Sequence, residues 1–310
     1  MKVLIATDGS PSARHAEELA SAIEWPADTG IEVLAVDQLA EDEIDQPAAR
    51  FAAAHAAFRK EIDDRLTAFV ALLARPGRSV RARVVFGRPA TVIVNEATEL
   101  HADLVVIGSH DRGALASFAL GSVAAEVVDH APCPVLVARR STLGPIVLGH
   151  DGSAGAMRAE ELVASWPFLA RETVRVVNVT PLPPSWYASL DAGTGAAIDG
   201  DLLQEVLDER RERSRRIAQA AAARLTQRGL DARPERQDGA PGDGLLDAVA
   251  AAKAQLVVIG SRGNTGLTRL LLGSVARTIL YQARCSVLIV REPQAGATSP
   301  RPRHPAAAAV

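Results

Sequence analysis

Two stretches decide the fold: Asp103-Leu-Val-Val-Ile-Gly-Ser-His-Asp-Arg-Gly113 and Gln255-Leu-Val-Val-Ile-Gly-Ser-Arg-Gly263, the same sentence written twice in one chain. The repeat continues downstream, where Leu120-Gly-Ser-Val-Ala matches Leu272-Gly-Ser-Val-Ala and Cys133-Pro-Val-Leu-Val matches Cys285-Ser-Val-Leu-Ile. The offsets agree, since 260−108, 273−121 and 285−133 all equal 152. Upstream, Ile5-Ala-Thr-Asp8-Gly-Ser matches Leu148-Gly-His-Asp151-Gly-Ser at 151−8 = 143, so the second copy carries 152−143 = 9 more residues between its first and fourth strands. A period this long points to duplicated domains.

Leu-Val-Val-Ile does not alternate with polar residues, so it reads as a strand buried on both faces, as in a parallel sheet between helix layers. Each copy offers five candidate strands: Val3–Thr7, Glu32–Val36, Arg81–Phe86, Leu104–Ile107 and Val135–Val137, and their counterparts Ile146–Gly149, Val174–Val179, Asp231–Arg236, Leu256–Ile259 and Val287–Val290. Helical patterns separate them, which predicts two tandem doubly wound α/β units with five-stranded parallel sheets. Ser10 before Pro11, and Ser153 at the matching point, predict helix N-caps. Arg140–Pro145 reads as a short linker between domains at 1–140 and 141–292, residues 293–310 as a disordered tail, and Pro181–Gly200 as a surface loop over the site.

The length of 310 residues suits two domains, and 48% hydrophobic with 23% charged residues and mean hydropathy +0.08 describes a globular chain. A net charge of −3 implies neither nucleic acid nor an anionic membrane as partner. No apolar run is long enough for a membrane span or a signal segment. Cys133 and Cys285 form no CxxC pair, so they read as buried thiols and the setting as a reducing cytoplasm. The histidines show no zinc spacing, and there is no GKS/T loop and no G-x-S-x-G elbow.

Ligands of open parallel sheets bind beyond the carboxyl ends of the strands. There the second copy reads Gly260-x2-Gly263-x9-Gly273-Ser274. Such glycines are either loop punctuation or a place where backbone amides, freed by φ > 0, cradle an anion ahead of a helix N-terminus. Occurrence in two copies favours the cradle. Asp8 and Asp151 likewise read as turn acids or as ligand contacts. The run Glu209–Arg216 reads as a solvated, self-paired helix face.

These motifs, in this order and over about residues 1–292, resemble the universal stress protein family in its tandem form. The resemblance implies an adenine nucleotide alpha hydrolase-like fold with strand order 3-2-1-4-5 in each domain, and pairing of the fifth strands Val135–Val137 and Val287–Val290. It implies ATP, with Mg²⁺, as the ligand. Gly260, Gly263, Gly273, Ser274 and Val275 become the phosphate and ribose contacts, and Asp151 and Val179 the contacts at the adenosine end. In the first copy the matching residues are Asp8, Val36, Gly108, Gly121, Ser122 and Val123. The Gly263 slot holds Asp111, whose carboxylate about 5 Å from a phosphate costs on the order of 3 kcal/mol at a dielectric near 20; ATP is therefore expected chiefly in the second copy. The implied role is regulatory, a nucleotide-dependent stress-response protein with slow ATP hydrolysis at most, an unidentified protein partner and a possible homodimer. The alternative is a scaffold of the same fold that binds partners without nucleotide.

Overall fold

The computed structural model describes residues 1–37, 49–109, 120–181, 200–263 and 272–291. The first half runs β1 (Lys2–Ala6), α1 (Pro11–Ala22), β2 (Gly30–Asp37), α2 (Ala49–Leu73), β3 (Ser79–Phe86), α3 (Pro89–Leu100), β4 (Leu104–Gly108), α4 (Ser122–His130) and β5 (Val135–Ala138). The second repeats it: β6 (Ile146–Gly149), α5 (Ala154–Ser165), a short α6 (Pro167–Ala170), β7 (Val174–Thr180), α7 (Gly200–Gln227), β8 (Ala232–Asp238), α8 (Pro241–Ala251), β9 (Leu256–Gly260), α9 (Ser274–Gln282) and β10 (Ser286–Val290). All ten expected strands form, with ends shifted by two residues at most. The expected loop at 182–199, the tail at 293–310, and His110, Asp111 and Gly113 lie outside the described residues.

The strands follow the order β3-β2-β1-β4-β5-β10-β9-β6-β7-β8. Each half therefore shows the 3-2-1-4-5 order, and the sheet is continuous across the join rather than broken into two. Pairing is parallel within each half and antiparallel at one seam, where Leu136 faces Leu288, with Val137 opposite Val287 and Val135 opposite Ile289. Since 288−136 = 152, equivalent leucines face each other and a pseudo-twofold axis passes between them. Pairing these two edges removes the exposed row of backbone groups that each half would otherwise present.

Alternation along the strands fills both faces. Val3, Ile5, Leu136, Leu148 and Leu288 belong to one buried cluster, and Leu4, Ala6, Val137, Val287 and Ile289 to the other. Both clusters run through both halves. At the outer edges the sheet changes character: β8 contains Pro234, which an edge strand tolerates because its missing N–H faces away from the ladder.

Two further contacts obey the same pseudosymmetry. The buried Arg139 guanidinium donates to the carbonyls of Leu280 (2.5 Å) and Cys285 (3.5 Å), and its equivalent Arg291 donates to the carbonyl of Val128. Each arginine thus grips the last turn of the other half's α9 or α4, where a cation also suits the helix dipole. Trp25 meets its equivalent Phe168 edge-on at 5.0 Å between centroids. The start of the segment expected to be a linker is held by the second half: the Arg140 amide, and that of Arg139 just before it, both donate to Ser286 Oγ at 3.1 Å. Burial keeps both thiols protonated, pushing Cys133 up to about 12 and Cys285 up to about 11.

Candidate functional site

Both expected N-caps form. Ser10 Oγ accepts from the Ala13 amide and Ser153 Oγ from the Ala156 amide, each at 3.2 Å. The turn ahead of each cap is built by the aspartate. Asp8 Oδ1 accepts from the Ser10 amide and Asp151 Oδ1 from the Ser153 amide, each at 2.9 Å. Gly9 and Gly152 supply the left-handed backbone this turn needs, at φ +69° and +81°. Both aspartates are therefore turn acids, and Asp151 also borders the cavity described below.

After β9 and β4, Gly273 and Gly121 are the N-caps of α9 and α4, so Ser274 and Ser122 open helices as expected. The loops before them are closed by the Gly273 amide donating to Ser261 O (2.8 Å) and the Gly121 amide to Ser109 O (2.7 Å). The reason for the glycines differs from the expected one. None of Gly260, Gly263 and Gly273 has positive φ; space is what two of them provide. A Cβ on Gly260 would lie 2.6–2.9 Å from the backbone of Gly155 at the start of α5, and one on Gly263 would lie 2.6 Å from Asp151 Oδ2. Close packing of β9 on α5 and of the loop on the aspartate replaces φ freedom as the physical cause.

Between these two turns, at the carboxyl ends of β6, β7 and β9, lies a cavity of about 620 Å³. Asp151, Val179, Gly260, Gly263, Gly273, Ser274 and Val275 all border it. Its lining includes the apolar Val177, Val179, Ile217, Leu245 and Ile259 and the cationic Arg210, Arg213 and Arg262, with Asp151 the one carboxylate among the described lining residues. Thr180 Oγ1, also on the wall, is buried and has no hydrogen-bond partner. This volume is within the usual range for a small-molecule site, and a lining that combines apolar and cationic side chains suits a ligand that carries both a ring and anionic charge.

The equivalent cavity of the first half measures about 80 Å³. Asp8, Val36, Gly108, Gly121 and Val123 border it, whereas Ser122 is exposed on the first turn of α4 and does not. The turns beside the two cavities also differ: Arg65 Nη1 donates to Gly9 O at 3.1 Å, where the second half has Ile217 beside Gly152.

Several wall residues escaped sequence reasoning. In the run Glu209–Arg216, Arg215 pairs with Glu212 and Arg211 with Asp208 just before the run, and Arg210 and Arg213 border the cavity. The spacing of Arg210, Arg213, Ser214 and Ile217 was the available signal, since positions three, four and seven apart share a helix face. Behind the wall, Ser214 Oγ donates to Asn178 Oδ1 and Asn178 Nδ2 to His150 O, a buried polar connection from α7 through β7 to β6.

The family model described as the universal stress protein family matches residues 1–139 and 143–291. A universal stress protein of Mycobacterium tuberculosis strain H37Rv is 30% identical over 223 residues, covering 69% of this chain and 70% of that protein. A second one from the same strain is 28% identical over 247 residues, covering 76% of each. Among solved structures, a universal stress protein from Archaeoglobus fulgidus superposes with a TM-score of 0.62 at 16% identity, covering 94% of this chain and 98% of that one, a likeness of fold.

Proposed function

We propose that this chain, which belongs to the universal stress protein family, binds an adenine nucleotide in the cavity of its second half and acts as a nucleotide-dependent regulatory protein. The observation that carries this reading is the convergence on one cavity of about 620 Å³ of the Asp151 turn, the Gly260–Gly263 loop and the Gly273-Ser274 helix start. In this reading Val177, Val179, Leu245 and Ile259 receive the adenine. The α9 amides and the Ser274 hydroxyl meet the phosphates, as helix N-termini do, and Arg262, Arg210 and Arg213 offset the charge of ATP. Gly263 lets the loop lie against the Asp151 carboxylate, which a larger side chain there would have to displace.

Mg²⁺ would enter with the phosphates, supplying charge neutralisation. The described residues contain no group of three or more His, Cys, Asp or Glu side chains able to hold a metal alone. In this reading the nucleotide is held rather than turned over, with Asp151, the carboxylate beside the Gly263 loop, engaged in the turn through the Ser153 amide. The first half, with its cavity of about 80 Å³, serves mainly as the structural partner of the second. Native mass spectrometry of the purified full chain tests the reading: one copurified adenine nucleotide per chain is expected. Protein that is nucleotide-free as purified and takes up no added ATP–Mg²⁺ in calorimetry would refute it.

A further inference from the structure

The two halves brace the turn at the end of their first strand with different side chains. In the first half the Gly9 amide donates to Thr7 Oγ1 at 3.2 Å, and the Thr7 hydroxyl donates to Glu17. In the second half the Gly152 amide donates to His150 Nδ1 at 3.3 Å, and His150 Nε2 lies 2.9 Å from Glu160 Oε2, without the alignment of a hydrogen bond. These are equivalent groups, since 150−7 and 160−17 both equal 143. A backbone N–H can only donate, so Nδ1 must be bare and the proton of the neutral ring sits on Nε2, towards Glu160. A hydroxyl can serve both neighbours at any pH. An imidazole accepts from Gly152 only while it is neutral.

From this contrast we infer that His150 is a positioning residue for the nucleotide cavity: its neutral ring holds the Asp151–Ser153 turn in place, and its protonation releases the turn and lowers occupancy. The inference rests on the proposed nucleotide site and adds its regulation by pH. The His150 side chain is 1% exposed, so a proton placed on Nδ1 finds no water to accept it and instead opposes the Gly152 N–H. The groups acting on the ring come from each element packed around it. Glu160 of α5 approaches Nε2 and is itself held by Arg224 of α7 at 2.6 and 2.7 Å; Asp151 follows in the turn; β7 contributes the neutral Asn178; and β9 has no ionisable residue. Burial is the largest influence and holds the imidazole below its ordinary range, with Arg224 acting the same way and Glu160 and Asp151 against it. A histidine lowered in the folded state keeps its bracing role above the ordinary imidazole range and loses it as pH falls.

The test uses the full chain, stripped of nucleotide and titrated with ATP–Mg²⁺ in steps from about pH 7.5 down to about pH 4.5, beside His150→Thr, which installs the first half's own solution. Across that range the parent should lose about tenfold more affinity than the variant, the loss expected for one hydrogen bond and the register it holds, with the difference opening only below the ordinary imidazole range. Protonation of ATP and of surface carboxylates affects both proteins and cancels. Equal pH dependence in the two proteins, or none in the parent, overturns the inference. Should neither protein bind nucleotide, the proposed function fails and a second readout remains. In long-range ¹H–¹⁵N spectra of the ligand-free parent, the Gly152 amide shift must follow the titration of an Nε2–H ring; a Gly152 amide indifferent to that titration overturns the inference by itself.

Discussion

Replacing Gly260 by alanine separates the two reasons for which a glycine can end β9. The added Cβ would lie 2.6 Å from Gly155 C and 2.9 Å from both Gly155 Cα and O, all backbone atoms of α5 with no flexible end to swing aside. Either α5 or β9 must shift, and overpacking of this kind costs about 1–3 kcal/mol. Alanine recovers about 0.4–1 kcal/mol by restricting the unfolded chain, so the net expectation is a loss of about 1–2 kcal/mol. For a unit of this size that is a fall of roughly 2–8 °C in midpoint. Urea titration followed by circular dichroism measures the loss, with Gly273→Ala as the internal control, because a Cβ there meets its nearest neighbours at 3.5 Å, ordinary contact distance. The ligand-free protein must be used, so that binding does not enter. If Gly260→Ala is as stable as Gly273→Ala, helix-to-strand packing is not what Gly260 serves and the ligand-approach explanation returns.

Gly263→Asp should weaken ATP at the second half by about 1–3 kcal/mol, from its charge beside Asp151 and the phosphates, while Asp111→Gly should strengthen binding at the first; calorimetry on stripped protein reads both. Leu136→Ala removes a fully buried side chain at the centre of the seam and should cost about 2–5 kcal/mol in denaturant titration, and the same change at Leu288 should cost a similar amount. Both cysteines should resist a thiol reagent near neutral pH in the native protein and react after unfolding. Because their folded values, about 12 and about 11, lie above the ordinary 9.0, their contribution to stability is complete below pH 9 and fades as pH rises towards those values.

The central strands were legible because they are uninterrupted apolar runs, and duplication located the weaker ones: β8, Ala232–Asp238, is polar and contains a proline, and only its register against Arg81–Phe86 marks it as a strand. Helix starts were legible through Ser10 and Ser153. The seam followed from a resemblance, not from Val135–Val137 itself, whose buried pattern fits a central strand as well as a joined edge. Site reasoning ran along contiguous motifs and so missed what folding brings from a distance. Arg210 and Arg213 reach the cavity from a long helix whose composition reads as solvent-facing. His150 stood inside a motif, yet its neighbour Asp151 drew the attention. The role of Gly260 was hidden because the partner that excludes a side chain, Gly155, lies more than a hundred residues away and is itself a glycine.

The antiparallel seam has a consequence for how this molecule can change. In a pair of separate identical chains, any substitution appears on both sides of the dyad, and dilution can part the halves. Here the short connection from β5 to β6 keeps each half at a high local concentration of its counterpart, whatever the amount of protein. The dyad relates backbones without enforcing identity of side chains. One half can exchange Thr7 for His150, or Ile217 for Arg65, with no matching exchange opposite, so the join that fixes the architecture is also what frees the two ends of the molecule to specialise apart.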